Sequence, residues 1–248
     1  MNKTSPSTIL FFVLVALNAV LAGVSVFMPQ GLPGEFPDET LPFLQLALVA
    51  AASILFFYGG LGYVGLRLTR KLGYPDLLDA RVTNRQRFLT PCIVGLWLGL
   101  LFIVADNLFG RMHSYGPLPH PPFPTSIVAS LSAGIGEEMV FRLFFIPFLV
   151  WLVSRVMLKG AQERVTFWNA AIFSGLFFAA GHLPAVMILL ELDTPAAIPM
   201  ALLVEVFLLN GVLSLVAAYF LRKSGYLAAV TVHTSADIVW HVIWGLLR

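Results

Sequence analysis

Nine ionisable side chains stand inside otherwise apolar stretches of this sequence: Asp106, Glu137, Glu138, Arg142, His182, Glu205, His233, Asp237 and His241. Placing any of them in hydrocarbon costs at least about 2.5–3.5 kcal/mol on insertion scales, so each is a candidate for a chemical task. Six of them fall in three short groups, with His241 one turn beyond the last. Glu138 and Arg142 are four residues apart with the acid first, the favourable order for an ion pair on one helix face. Glu137 projects about 100° away from Glu138 and has no cation near it in sequence; a desolvated, unpaired carboxyl suits a general base or acid. The plainer alternative is that all three form one structural salt-bridge cluster. His182 closes Phe178-Ala179-Ala180-Gly181-His182, where an isolated His reads as a polar cap. His233, Asp237 and His241 recur every fourth residue, so they share a stripe on which Asp237 can orient an imidazole. Such a stripe must face the interior of a bundle.

These groups need elements to carry them, and the composition says what kind. Of 248 residues, 58% are hydrophobic and 11% charged; a soluble domain has roughly 45–50% and about 25%. A net charge of +2 is too balanced for a nucleic-acid surface. Runs of about 20 apolar residues each suffice for a helical crossing. The expected fold is an all-α, polytopic transmembrane helical bundle of about 7–8 membrane-spanning helices, with the active site inside it. Spans are predicted near 8–28, 41–66, 88–109, 125–153, 165–182, 196–221 and 226–247. The stretch 185–190 reads as a re-entrant piece or an eighth crossing. The first span is too long for a signal-peptide core and is expected to be retained. Residues 1–123 form an N-terminal helical region without recognised motifs, and 124–248 the core that carries the three polar groups. No repeat of solenoid or inverted-half type is visible.

Charge orients the spans. Twelve of the 15 Lys and Arg, from Lys3, the loop 67–87, Arg155, Lys159, Arg164, Arg222 and Lys223, fall on one side, the expected cytoplasmic face. The acidic Glu35, Asp38, Glu39, Glu191 and Asp193 fall on the other. Glu137 and His182 each lie 18 residues from an edge cation, or ~27 Å at ~1.5 Å per residue. By the same rule His233 lies at ~15 Å, Asp237 at ~21 Å and His241 at ~27 Å, which favours His241 over His233 as their partner.

The remaining polar residues read more plainly. Asp106-Asn107 is expected to be a solvated cap at an outer helix end. Glu205 and Asn210 either line the cavity or make interhelix hydrogen bonds. The stiff connector from Arg111 to Pro122 should pack over the outer mouth, with His113 and His120 as surface residues. Cys92, the single cysteine, excludes a disulfide within the chain and a cysteine metal cage and is expected to be a buried, unreactive thiol.

Three patterns together carry a resemblance: Glu-Glu-x-x-x-Arg at Glu137, Glu138 and Arg142, Phe-x-x-x-His at Phe178 and His182, and His-x-x-x-Asp at His233 and Asp237. With the Lys223-Ser224-Gly225-Tyr226 lead-in, the stretch 125–240 resembles the CAAX-protease and bacteriocin-processing (CPBP or Abi) family of intramembrane endopeptidases, which includes the Ras-converting prenyl-protein proteases. Asp237 is the less usual choice where the prenyl-protease branch has Asn. His-Glu-x-x-His, Gly-Asp and Gly-x-Ser-Gly signatures of other membrane proteases are absent from the sequence.

The resemblance implies peptide-bond hydrolysis near or within the membrane. Glu137 would activate water, His182 would share it, and Arg142 would hold Glu138. His233 and Asp237 would polarise the carbonyl and stabilise the oxyanion. Glu137, His182 and His233 would also make a sensible zinc triad with an open position; metal-free chemistry with no required cofactor is the favoured expectation, Zn2+ the alternative. The partners implied are membrane lipid and a peptide or protein substrate, prenylated or not, with no nucleic acid. The expected setting is a prokaryotic plasma membrane with the N-terminus cytoplasmic. A prenylated C-terminal tetrapeptide, a double-Gly leader and a membrane-anchored regulator all suit the residues as substrates. The competing readings are a proton-coupled transporter and a silent immunity or scaffold protein of the same family.

Overall fold

A computed structural model of the chain describes residues 5–31 and 42–248. Lys3 and the acidic Glu35, Asp38 and Glu39 lie outside the described residues. The regular elements among the described residues are helical: α1 (Pro6–Ser25), α2 (Phe43–Lys71), α3 (Arg85–Phe109), α4 (Thr125–Met157), α5 (Glu163–Gly181), α6 (Leu183–Leu189), α7 (Met200–Ser224) and α8 (226–244). A short 3-10 turn, Pro195–Ala197, precedes α7.

Local sequence sets the helix ends. Ser5 caps α1, its hydroxyl accepting from the Thr8 amide, with Pro6 in the first turn where no amide proton is needed. Before α3, Thr83 and Gln86 bond reciprocally: the Thr83 amide donates to Gln86 Oε1 at 3.0 Å and the Gln86 amide to Thr83 Oγ1 at 3.3 Å. Gly225, at φ 87°, breaks the chain between α7 and α8 in a conformation that disfavours any residue with a Cβ.

Among the described residues, six stretches are long and apolar enough to cross a membrane: α1, α2, α3, α4, α5 continued into α6, and α7. The polar stripe keeps α8 out of that set, and α8 packs on α3, α4 and α7 instead. Its Ala228, Ala229, Val232 and Ala236 are wholly buried. α6 has only seven residues, ~10 Å of helix against a hydrocarbon layer of ~30 Å. The 185–190 stretch is therefore not an eighth crossing. Outward-facing Phe56 and Trp97 are 78% and 69% exposed, an apolar surface of the kind lipid covers.

The cation-rich loops meet at one end of the bundle. Arg70 donates to Asp76 at 2.9 Å and to the hydroxyls of Ser5 and Thr8. Arg155 pairs with Glu163 at 2.7 Å. A Cβ on Gly225 would meet the Pro75 and Asp76 carbonyl oxygens. At the opposite end the Thr125 hydroxyl donates to the Pro29 carbonyl at 2.6 Å, and Arg248 donates to the Leu118 carbonyl at 3.1 Å.

Helices approach closely where side chains are small, as membrane packing favours. A Cβ on Gly65 of α2 would run into the Leu143 carbonyl of α4, whereas one on Gly60, a turn and a half away, would meet nothing within 4 Å. Gly65→Ala is expected to cost about 3 kcal/mol or more, at the top of the usual overpacking range, because backbone cannot yield as a side chain can. Gly60→Ala should be neutral or stabilising by up to about 1 kcal/mol. Thermal denaturation of both variants in detergent checks the contrast; equal midpoints would contradict it.

Candidate active site

The first motif sits where α4 widens. Its turns from Met139 to Phe145 follow a π pattern, and two other helices brace them. The Tyr226 hydroxyl of α8 donates to the Ile135 carbonyl at 2.6 Å, and the Ser174 hydroxyl of α5 to the Phe141 carbonyl at 2.8 Å. Wide turns of this kind recur at functional sites because they re-aim side chains. Here they leave Glu138 and Arg142 pointing inward, fully buried, with Arg142 Nε 3.3 Å from Glu138 Oε2. The guanidinium lies 4.3 Å from the centre of the Phe178 ring.

Glu138 has a second partner. His233 Nδ1–H donates to Glu138 Oε1 at 2.8 Å. The other ring nitrogen faces Asp237 Oδ2 at 3.4 Å and Glu137 Oε2 at 3.8 Å. Neutral imidazole has one donor and can satisfy carboxylates on only one of these sides. Phe178 ties the third motif residue in, its ring packing edge-on against both His182 and His233. His182, in the bend between α5 and α6, donates from Nδ1 to the Phe178 carbonyl at 2.8 Å. In the neutral ring that bond leaves Nε2 with its lone pair.

Glu137, His182, His233, Asp237 and His241 all line one cavity of about 360 Å³. The other walls are largely apolar, among them Leu118, Pro119, Val186, Val206 and Leu213. The Glu137 side chain keeps 30% exposure, although its Oε2 is buried toward His233. The six motif residues are thus brought together, Glu138 and Arg142 behind the cavity and the other four on its wall.

Several expectations from the sequence change. Asp106 is not a solvated cap: it is fully buried, accepts from the Leu118 amide at 2.8 Å and faces Arg248 at 3.6 Å. The connector folds back onto α3, and its amide replaces water. Of the Glu205 and Asn210 pair, only Asn210 reaches the cavity; buried Glu205 faces His113 at 3.5 Å. His113 and His120 are not surface residues. The His113 side chain is 1% exposed, and His120 Nδ1 meets His241 Nδ1 at 3.1 Å. His241 therefore turns to the connector, and His233, which depth arithmetic disfavoured, is the residue beside Glu137. The wide turns between Glu137 and Arg155 advance less per residue than the α-helical rise assumed.

The connector gives a pH signature outside the spans. Burial, with the neighbouring His241 and Arg248, pushes the His120 imidazole down to about 3. An unfolded chain binds a proton there below about 6.5, and the native connector does not. Stability should therefore rise with pH between about 3 and about 6.5 and be lost as pH falls through that window. Melting scans from pH 4 to 7 should show the slope, and His120→Gln should flatten it.

As a zinc site the arrangement does not fit. Among the described residues no three His, Cys, Asp or Glu side chains converge as a metal-holding group. His233 turns both nitrogens to carboxylates rather than offering a free lone pair beside Glu137 and His182.

Residues 119–239 match the family model described as type II CAAX prenyl endopeptidase Rce1-like. That segment contains every motif residue from Glu137 to Asp237. No curated protein and no solved structure matches the chain. Through residues 119–239 the chain, an integral membrane protein, is similar to the type II CAAX prenyl endopeptidases that this model describes.

Proposed function

We propose that the protein is an intramembrane endopeptidase that hydrolyses a peptide bond with water activated by Glu137, without a metal ion. One observation carries the reading: a half-open carboxylate lies on the wall of a mostly apolar cavity, beside an imidazole with a free lone pair and a second one clamped by carboxylates. Water between Glu137 and His182 gives a proton to Glu137 as its oxygen attacks the carbonyl carbon. His233, held as a donor by Glu138 at one nitrogen and Asp237 at the other, turns Nε2–H to the developing oxyanion. Its 3.4 Å separation from Asp237 is longer than a strong hydrogen bond, so the donor can be redirected. The C–N bond then breaks as Glu137 passes the proton to the leaving nitrogen, leaving a new carboxyl group and a free amine.

The apolar walls suit a lipidated peptide, and a prenylated C-terminal peptide is the first substrate to try. A double-Gly leader and a membrane-anchored regulator follow. The cation-rich end is assigned to the cytoplasm. Protein in liposomes, offered each peptide class with mass-spectrometric readout, should cleave one of them. Proton movement without cleavage would sink the protease reading. After exhaustive chelation, cleavage should remain within about twofold of its starting rate; loss of activity restored by added Zn2+ would overturn the metal-free assignment.

A further inference from the structure

Glu137 is reached from two sides. Besides the apolar cavity it borders a second cleft of about 290 Å³ between α4 and the two N-terminal helices, lined by Asn18, Gln30, Tyr58, Thr125 and Ser132. The two spaces differ in chemistry. The second mixes hydroxyl and amide groups with Ile54, Val128 and two alanines, whereas hydrocarbon dominates the first. Asn18 is fully buried at mid-helix, and its Oδ1 accepts from the Ser132 hydroxyl at 2.8 Å. Its Nδ2 is a buried donor with no hydrogen-bond partner among the described residues. Ordered water needs about two to four polar partners, and the hydroxyls and amides of Gln30, Tyr58, Thr125 and Ser132 on this cleft's wall, with the Glu137 carboxyl, can supply them. From Thr125 at the outer end of α4 to Glu137 is 12 residues, ~18 Å along the helix.

We propose that this cleft is a water path to Glu137, separate from the cavity that receives the peptide. The inference rests on the protease reading for its purpose, though the wetness of the cleft does not. A hydrolase whose peptide enters through an apolar space must still deliver one water per turnover to the buried carboxylate. A route behind Glu137 does so without passing the bound substrate. It also gives the N-terminal helices, which carry no motif, a part in the reaction through Asn18 and Tyr58.

The test uses the full chain in liposomes. Cys92 is its single cysteine, so Cys92→Ser leaves none, and Ser132→Cys on that background places one thiol in the cleft. A cationic, membrane-impermeant methanethiosulfonate added to both faces should label it. Val104→Cys, on an outward-facing apolar position that is 58% exposed, should stay unlabelled. Absence of label at Ser132→Cys overturns the water path whether or not any peptide is cleaved. On a cleaved peptide, Ser132→Leu should lower kcat at least about tenfold with KM within about twofold. Unchanged kcat in Ser132→Leu, with Ser132→Cys labelled, would show a wet cleft that does not feed the reaction and would equally overturn the proposal. A wild type that cleaves nothing while Ser132→Cys is labelled would sink the protease reading and leave the cleft a water path without a hydrolytic purpose.

Discussion

Glu137→Gln is expected to abolish peptide cleavage while the protein stays folded. The amide keeps the shape of the carboxyl and removes its basicity. A positioned acid–base group contributes about 10²- to 10⁴-fold, and Glu137 would serve as base and then acid in one turnover. The expected fall in kcat is at least about 10³-fold, equivalent to about 4 kcal/mol of barrier. The fold should tolerate the change because, among the described residues, the one basic group within 4 Å of Glu137 is the His233 ring at 3.8 Å, and the Glu137 side chain is 30% exposed. Thermal denaturation of the variant should overlay the wild type. Wild-type-like cleavage by Glu137→Gln would remove Glu137 from the mechanism. Loss of cleavage together with a collapsed melting curve would assign it a structural role instead.

Arg142→Met is expected to do the reverse and damage the fold first. Arg142 and Glu138 are both fully buried, 3.3 Å apart. Removing one partner of a buried ion pair typically costs about 3–5 kcal/mol, and Glu138 would keep only the His233 ring as a partner. The stacking of the guanidinium on Phe178 adds about 1–2 kcal/mol in a desolvated setting. Together these are comparable to the whole stability of many domains. Arg142→Lys should rescue little, since an ammonium lacks the planar face that stacks on the ring. The double variant Glu138→Gln with Arg142→Met should melt above Arg142→Met alone, as no unpaired charge then remains at that point. A single Arg142→Met variant with a wild-type melting curve would contradict this account.

Much of the architecture could be read from hydrophobic runs, because hydrocarbon imposes one requirement over some twenty consecutive residues. The six motif residues could be read as well, since acids and imidazoles are conspicuous in apolar helices. Partnerships across the fold could not. Glu138 looked committed to Arg142 because helical spacing exposes only near neighbours, while His233 lies 95 positions away. Asp106 looked solvated because nothing local says that the Leu118 amide folds back to it. Asn18, Tyr58 and Ser132 carried no signal: single hydroxyls and amides are common in membrane helices, and only their convergence on Glu137 distinguishes them. The depth estimate failed for His233 and His241 because it assumed uniform winding, and α4 is not uniformly wound.

Glu138 touches both the cation that secures α4 and the imidazole that α8 brings. A ribosome makes α4 long before α8, so the nascent chain carries Glu137 before His233 exists. In the proposed mechanism cleavage would then wait for α8 to dock beside α4, and the order of synthesis would keep a half-inserted chain from cutting its neighbours or itself.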